Sequence, residues 1–140
     1  MRAVIQRVNR AAVSAEGRDV ASIGPGLLVL LGIAEGDREQ EAERLARKIR
    51  ALRVFDDGEG RMSEPLGDRE VLCVSQFTLH ADTSRGNRPF FGSAAPPEQA
   101  RPLYESFCEQ AGALAGRFGA RMEIELTADG PVTIILDSDA

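Results

Sequence analysis

Hydrophobic and polar residues alternate at the start of the chain, and this pattern is typical of a β-strand with two different faces. Within residues 2–8, one face carries Val4, Gln6 and Val8, and the other carries Ala3, Ile5 and Arg7. Two further short runs, 13–15 and 18–23, flank Glu16-Gly17 and predict a hairpin. The unbroken apolar run 27–31 predicts a strand that is buried on both faces.

Two segments have the periodicity of amphipathic helices. The first helix is predicted over 37–53, where Asp37 can cap it and Gln40 can complete a capping box. Its apolar stripe consists of Ala42, Leu45, Ile49 and Leu52. The second helix is predicted over 98–115, and Pro102 is expected to start its regular part or to kink its first turn. Its apolar stripe consists of Leu103, Phe107, Ala111 and Leu114.

The remaining apolar runs predict three more strands. They cover 71–75, 122–126 and 132–136, and the last two are joined by a turn through Gly130-Pro131. The order along the chain is therefore mostly strands with two helices inserted. This order predicts one α/β or α+β domain with a mixed sheet over residues 1–140.

Composition narrows the class of protein without identifying it. A chain of 140 residues can bury one sizeable core, and its 43% apolar and 28% charged residues are ordinary for a soluble globular protein. No apolar run approaches the roughly 20 residues of a membrane span. The alternating N-terminus lacks the apolar stretch of a signal peptide, so a cytoplasmic protein is predicted. Cys73 and Cys108 lie among apolar residues and are interpreted as core thiols.

The charge balance limits how the protein can handle nucleic acid. The net charge is -5, whereas a protein that coats nucleic acid is normally basic because neutralised phosphates supply most of its affinity. Duplex DNA is therefore not an expected partner, and a nucleic-acid substrate should be gripped at a short end. The first predicted helix carries a basic cluster of Arg44, Arg47, Lys48, Arg50 and Arg53. That cluster could touch RNA, but a solvated helix face is the commoner explanation.

Two familiar kinds of catalytic site are disfavoured. Ser75, His80 and Asp82 suggest a serine triad, but the extended chain from Ser75 to His80 spans up to about 17 Å. The G-x-S-x-G turn of many serine hydrolases is also missing. His80 is instead expected at the surface or at a pocket rim. One histidine and two separated cysteines cannot form a zinc site, so neither a metal nor a cofactor is predicted.

A cluster at the end of the run 71–74 is the better candidate for chemistry. It consists of Ser75, Gln76, Phe77 and Thr78. Donors at a strand end can stabilise the oxyanion that develops during ester hydrolysis, and an aromatic ring can stack on a base. The alternative is an ordinary strand end with a core phenylalanine.

Two separate stretches resemble the signature pair of the D-aminoacyl-tRNA deacylase family. Residues 75–79 read SQFTL and match the first signature in full, and residues 130–133 match the GPVT of the second signature, NxGPVT. The resemblance also includes residues 4–8, 23–24, 26–32, 82–89 and 116–119. It departs at Ala128, where the family has asparagine, and at Phe90, where the family usually has a small residue. The segment before Gly116 is also shorter.

The resemblance implies a single-domain homodimer with a largely antiparallel, barrel-like mixed sheet and two main helices. It further implies cofactor-free hydrolysis of D-aminoacyl-tRNA, and of glycine mischarged on tRNA(Ala), with the tRNA 3′ end as partner. The cis Gly130-Pro131 pair, flanked by Val132 and Thr133, is implied to enter the partner subunit's pocket. There it would exclude an L side chain, and Arg7 would support the loop.

Ser75, Gln76, Phe77 and Thr78 are implied to carry the chemistry, with Phe77 near the terminal adenine. The family view leaves two nucleophile arrangements open, one through Thr78 and one through the backbone and the 2′-hydroxyl of the terminal adenosine. A threonine without an adjacent base is a poor nucleophile, so substrate-assisted hydrolysis is expected, with Thr78 in a positioning role. Two other functions stay open: a nucleic-acid-binding module of the same fold without hydrolysis, and a hydrolase of small esters.

Overall fold

The structure, a computed structural model, describes residues 1–139. Its strands are β1 (Arg2–Ala15), β2 (Arg18–Ile23), β3 (Gly26–Gly32), β4 (Phe55–Asp56), β5 (Met62–Glu64), β6 (Glu70–Ser75), β7 (Leu114–Ala115) and β8 (Met122–Asp137). Its helices are α1 (Glu39–Ala51) and α2 (Pro97–Ala111), and a short 3₁₀ turn covers Phe77–His80.

The long strand β1 organises the sheet. On one side it pairs antiparallel with β8 over almost its full length, and on the other side it pairs antiparallel with β3 and then β2. β3 continues the sheet by parallel pairing with β6, and β6 pairs in parallel with β7. The result is a mixed, nearly closed, barrel-like sheet with two helices, so the predicted fold class is confirmed.

Apolar side chains on the two faces of the sheet form two separate core clusters. The larger cluster lies between the sheet and the helices and includes Ile5, Leu27, Val29, Leu31, Leu45, Ile49, Tyr104 and Phe107. The smaller cluster includes Val8, Val13, Ile23, Leu28, Leu72 and Val74. Successive residues of β3 therefore enter different clusters, and the prediction of a strand buried on both faces is confirmed. Cys73 and Cys108 are buried free thiols, as predicted for core positions.

The predicted cap of the first helix is wrong. α1 begins at Glu39 with Arg38 at the cap position, and the backbone N–H of Arg38 donates to Glu41 Oε2 at 2.7 Å. Asp37 does not cap the helix because its carboxylate is already used. Its Oδ2 accepts the backbone N–H of Ala34 at 2.7 Å, and the Met1 amine lies 2.7 Å from the same carboxylate.

The predicted limits of the second helix also need correction. α2 begins at Pro97, so Pro102 lies inside the helix and does not start it. The helix ends at Ala111 because Gly112 adopts a left-handed conformation, with φ of 65°, and its N–H donates to Glu109 O at 3.2 Å. Leu114 consequently belongs to β7, where it pairs with β6, rather than to the apolar stripe of the helix.

The last two predicted strands are one strand. β8 runs from Met122 to Asp137 without reversing, and it stays paired with β1 on both sides of Gly130-Pro131. The register shifts between Gln6 and Val8 and again between Val8 and Arg10, opposite this pair. The Gly-Pro sequence therefore marks an irregularity inside a long strand, not the predicted turn. None of the helices within residues 1–139 is long and apolar enough to cross a membrane.

Candidate active site

The SQFTL segment leaves the end of β6 and turns at once into the 3₁₀ turn. Ser75 is the last residue of β6, and the backbone N–H of Gln76 still donates to Leu31 O at 2.8 Å. The turn packs tightly on the end of β3, where a Cβ atom at Gly32 would lie only 3.0 Å from Gln76 O and from Leu79 Cβ. A glycine at this position therefore allows the turn to sit against the sheet.

The side chain of Thr78 is held by its neighbour in the segment. Its Oγ1 donates to Gln76 Oε1 at 2.7 Å, and both Thr78 and Phe77 are exposed. An amide oxygen accepts a hydrogen bond but is too weak a base to remove the proton. The geometry therefore gives Thr78 an orientation without activating it as a nucleophile.

Ser75, His80 and Asp82 do not form a serine triad. The carboxylate of Asp82 accepts the backbone N–H of Ser84 at 2.9 Å, and the pKa of Asp82 is lowered by hydrogen bonds from Ser84. His80 is half-buried at a separate polar cavity of about 410 Å³, and within residues 1–139 its Nε2 has no hydrogen-bond partner. The rejection of a triad and the prediction of a rim position for His80 are both confirmed.

A mainly apolar cavity of about 550 Å³ opens beside the end of β6. Ser75 and Gln76 contribute its polar side chains, and Phe77 lies at its mouth. The apolar lining includes Ile33, Val74, Phe91, Ala94, Ala95, Pro97, Ala100, Phe118, Ala120, Met122 and Ile124. A volume of this size with few polar groups is typical of sites for small organic groups.

Phe77 forms part of the rim instead of the core. Its ring is 54% exposed and packs edge-to-face on Phe91, with 5.1 Å between ring centroids and an interplanar angle of 70°. The alternative of a core phenylalanine at an ordinary strand end is therefore wrong. Thr78 follows on the outside of the cavity lining.

The second candidate segment is anchored by a buried arginine. Arg7 is only 6% exposed, and its Nε donates to Asp129 O at 3.1 Å while its Nη1 donates to Val54 O at 2.7 Å. Its guanidinium also lies 3.3 Å from the Asp129 carboxylate and 3.4 Å from that of Asp56. Arg7 therefore ties the backbone just before Gly130 to the segment that follows α1, and it does not reach into solvent.

Gln6 holds the other side of the same segment, a role that the sequence did not suggest. Its Nε2 donates to Val132 O at 3.2 Å, and its Oε1 accepts the hydroxyl of Thr133. Between these anchors, the Gly130–Pro131 peptide bond is cis and Gly130 has φ of 139°. The pattern of residues 2–8 shows only alternation, so it offered no signal that a glutamine and an arginine on opposite faces both reach one segment of β8.

Within one chain, the two candidate segments lie apart. Ser75 pairs with Leu31, which pairs with Ala3, whereas Gly130 lies opposite the region of Arg7. Counted along the curved sheet, three strand spacings and four residues separate them, about 20 Å in the plane of the strands. Residues 130–133 are not among those that line the cavity beside Ser75 and Gln76.

Comparison with known proteins settles the family. A sequence model of the family described as D-Tyr-tRNA(Tyr) deacylase matches residues 4–137. The chain belongs to this deacylase family. The family prediction from the two signatures is confirmed, and with it the prediction that the protein is an enzyme of the hydrolase class.

Curated relatives agree over nearly the whole chain. A protein of Roseiflexus castenholzii (strain DSM 13941 / HLO8) named D-aminoacyl-tRNA deacylase is 55% identical, covering 99% of this chain and 92% of its own. A protein of the same name from Dehalococcoides mccartyi (strain ATCC BAA-2266 / KCTC 15142 / 195) is 57% identical, covering 99% and 95%.

Two solved structures share the fold of this deacylase-family chain. One, described as c-Myc DNA Unwinding Element Binding Protein, has a TM-score of 0.94 and 45% identity and covers 100% of both chains. The other, described as a probable eukaryotic D-amino acid tRNA deacylase, has a TM-score of 0.83 at 14% identity, covering 96% of this chain and 97% of its own. The second likeness supports the fold alone.

Proposed function

We propose that this protein hydrolyses the ester bond between a D-amino acid, or glycine on tRNA(Ala), and the 3′ end of tRNA in the cytoplasm. One observation carries the proposal. In a chain of the deacylase family, the polar groups of Ser75 and Gln76 open onto a mainly apolar cavity of about 550 Å³, with the exposed ring of Phe77 at its mouth. Such a cavity suits an aminoacylated adenosine, which has one polar reacting centre and a flat base.

The end of β6 supplies donors for the ester. The first N–H groups of a helical turn have no acceptor within that turn, so the amides of Phe77 and Thr78 are available to a developing oxyanion. The hydroxyl of Thr78 donates to Gln76 Oε1 at 2.7 Å, and none of the hydrogen bonds described for residues 1–139 joins it to a basic group. We therefore assign the nucleophile to water, assisted by the 2′-hydroxyl of the terminal adenosine, and assign Thr78 to positioning.

Chiral selection is assigned to a second subunit. Gly130-Pro131 does not line the cavity beside Ser75 in its own chain, so we place this segment at the cavity of a partner subunit. Within residues 1–139, β8 pairs with β1 alone, and its apolar side chains Leu126 and Ile135 are 42% and 65% exposed in the single chain. Exposed apolar side chains at two separate positions of this strand support contact with a second copy. In the homodimer we propose, Gly130-Pro131, with Val132 and Thr133 beside it, blocks the position of an L side chain.

A paired deacylation assay tests this function. D-tyrosyl-tRNA and L-tyrosyl-tRNA, prepared on the same tRNA, are incubated with the protein, and the remaining ester is counted over time. Cleavage of the D-form with the L-form spared supports the proposal, and glycyl-tRNA(Ala) tests the glycine activity. Equal cleavage of both forms contradicts chiral selection, and cleavage of neither contradicts the function.

A second candidate, nucleic-acid binding without hydrolysis, is favoured by one finding. The solved structure that is 45% identical over its full length is described as a DNA unwinding element binding protein. The net charge of -5 argues against duplex DNA as the main partner of this chain. Tight binding of DNA with no turnover of D-aminoacyl-tRNA would favour this candidate, and turnover of a D-amino acid methyl ester would favour a small-ester hydrolase.

A further inference from the structure

A short loop beside the cavity carries an unpaired group of arginines. The loop, residues 82–90, is closed by two backbone hydrogen bonds between Asp82 and Phe90, at 2.8 and 2.9 Å. Arg85 and Arg88 lie near its tip and are exposed, and among residues 1–139 neither forms an ion pair. The only acidic residue of the loop is Asp82, whose carboxylate is turned to the backbone N–H of Ser84. The loop is therefore locally positive on an acidic protein.

Phe90 places an open aromatic face next to these arginines. Its side chain is 67% exposed, although phenylalanine side chains are usually buried. The ring lies against Gly92, since a Cβ atom there would be 2.4 Å from both Cε1 and Cζ of Phe90. The Cε1–Cζ edge of the ring thus lies against the Gly92 backbone, and most of the side chain is open to solvent.

The loop stands at the mouth of the cavity. Phe91, the next residue after Phe90, lines the cavity and contacts the ring of Phe77 with 5.1 Å between centroids. Adjacent Cα atoms are about 3.8 Å apart, so Phe90 lies immediately outside the rim. When the 3′-terminal nucleotide of an RNA strand is bound in the cavity, the nucleotides that precede it can lie along this loop.

We propose that Phe90 is a stacking platform for an unpaired base that precedes the terminal adenosine, and that Arg85 and Arg88 bind the phosphates next to it. This inference rests on the proposed function. Open aromatic faces combined with positive charge are the means by which proteins hold single-stranded nucleic acid without reading its sequence.

Substrates of different length distinguish the contribution of the platform from that of the catalytic cavity. D-aminoacyl-adenosine fills the cavity alone, whereas a D-aminoacyl trinucleotide with the terminal tRNA sequence also reaches Phe90. Phe90→Ser is expected to lower kcat/KM about 10-fold on the trinucleotide and on full tRNA, through KM, and to leave D-aminoacyl-adenosine within about 2-fold. Phe90→Tyr keeps an aromatic face and is expected to restore the longer substrates. Met62→Ser, at another exposed apolar position, is the matched control.

The arginines are tested by their salt dependence. Each phosphate contact on a single strand contributes about 0.7 to the slope of log affinity against log salt. The double variant Arg85→Ala with Arg88→Ala is expected to reduce that slope by about 1.4 for the trinucleotide and to leave D-aminoacyl-adenosine unchanged. Arg47→Ala, on the exposed face of α1, is the control and should not change the slope.

Three results would overturn the inference. One is an equal loss on D-aminoacyl-adenosine and on the trinucleotide, which would make Phe90 part of the cavity. Another is no loss on any substrate. A third is a change in sedimentation behaviour of Phe90→Ser, which would make the ring a contact between copies of the chain.

A binding measurement keeps this test independent of hydrolysis. Fluorescence anisotropy measures the binding of a labelled RNA trinucleotide that carries no amino acid, so it needs no turnover. It therefore distinguishes failure of the platform from failure of the proposed function. Wild-type protein is expected to bind the trinucleotide about 10-fold more tightly than Phe90→Ser. Equal affinities of the two proteins would contradict the platform even if the enzyme is fully active.

Discussion

Removal of the buried Arg7 guanidinium should be among the most costly single changes at the β8 segment. Arg7 is 6% exposed and donates to two backbone carbonyls, Asp129 O at 3.1 Å and Val54 O at 2.7 Å. Hydrogen bonds from a charged donor contribute about 1.5–3 kcal/mol each. The ion pairs with Asp129 and Asp56 involve half-exposed carboxylates and add at most about 1 kcal/mol each. Arg7→Ala should therefore lower the free energy of unfolding by about 3–8 kcal/mol, of which the two hydrogen bonds account for about 3–6 kcal/mol.

Urea unfolding followed by circular dichroism measures this loss. With a slope of about 2 kcal/mol per M, the midpoint should fall by about 1.5–4 M. Arg10→Ala is a matched control, since Arg10 lies on the same strand but is exposed, and it should change stability by about 0.5 kcal/mol or less. If the two variants lose the same amount, and that amount is below about 1 kcal/mol, the reasoning from burial and hydrogen bonding is refuted.

A milder variant connects the same contact to selectivity. Arg7→Lys keeps the charge, but an ammonium group lacks the planar fork that spans two carbonyls. Under the proposed function, a folded Arg7→Lys protein should cleave L-tyrosyl-tRNA faster relative to D-tyrosyl-tRNA than the wild type does. If the ratio of L- to D-tyrosyl-tRNA cleavage rates is unchanged in a fully folded variant, Arg7 has a structural role but no role in chiral selection.

Three further changes test other contacts. Thr78→Ala should retain measurable deacylation, since the hydroxyl positions rather than attacks; complete loss in a folded protein would restore Thr78 as nucleophile. Tyr104→Phe removes the hydroxyl that donates to Cys73 O at 2.7 Å. It should cost about 1 kcal/mol in urea unfolding, because a neighbouring backbone amide still donates to that carbonyl. The hydrogen bond from Arg2 lowers the pKa of Asp137 in the folded state. The ionised Asp137 carboxylate therefore stabilises the folded protein above about pH 3.9, and this stabilisation is lost as pH falls through the folded pKa. Wild type and Asp137→Asn should therefore differ in melting temperature at pH 6, and the difference should shrink as pH falls below about 3.9; a constant difference would contradict this.

Much of the fold could be predicted from local patterns because those patterns record burial. The run 27–31 was correctly predicted as a doubly buried strand, since β3 separates two core clusters. One error arose where other groups bind a side chain that the local pattern assigned to a helix cap. Asp37 has the right chemistry for a helix cap, but the backbone of Ala34 and the Met1 amine bind its carboxylate first. The Ala34 contact is local, but the contact with Met1 spans 36 residues, and no local pattern contains it.

The Gly-Pro pair shows a different kind of limit. Gly130-Pro131 was predicted as a turn because this dipeptide commonly reverses the chain. In the structure, pairing with β1 resumes on the far side, and Arg7 and Gln6 hold the flanking backbone. The direction of the chain is decided by those long-range contacts, which the dipeptide itself does not reveal.

The candidate site was predictable in its polar part and not in its apolar part. Residues 75–78 could be identified as one group because they are contiguous and end a buried strand. The cavity wall brings together Ile33, Phe91, Phe118 and Met122, which come from four separate segments. Each of these residues alone looks like an ordinary core or loop residue, so only the packing of α2 and β8 on the sheet reveals that they enclose a space.

The fate of the arginines explains how an acidic protein can act on RNA. The basic cluster of α1 was a possible RNA surface, yet three of its members are used within the fold. Arg44, Arg50 and Arg53 donate to the backbone carbonyls of Ser138, Ala111 and Ser63. A guanidinium that satisfies a carbonyl of its own chain still carries charge, but it is not free to follow a phosphate backbone. Among residues 1–139, Arg85 and Arg88 form no ion pair and lie on a short loop next to the cavity rim, so contact with few phosphates at the end of a nucleotide chain is the arrangement that we expect.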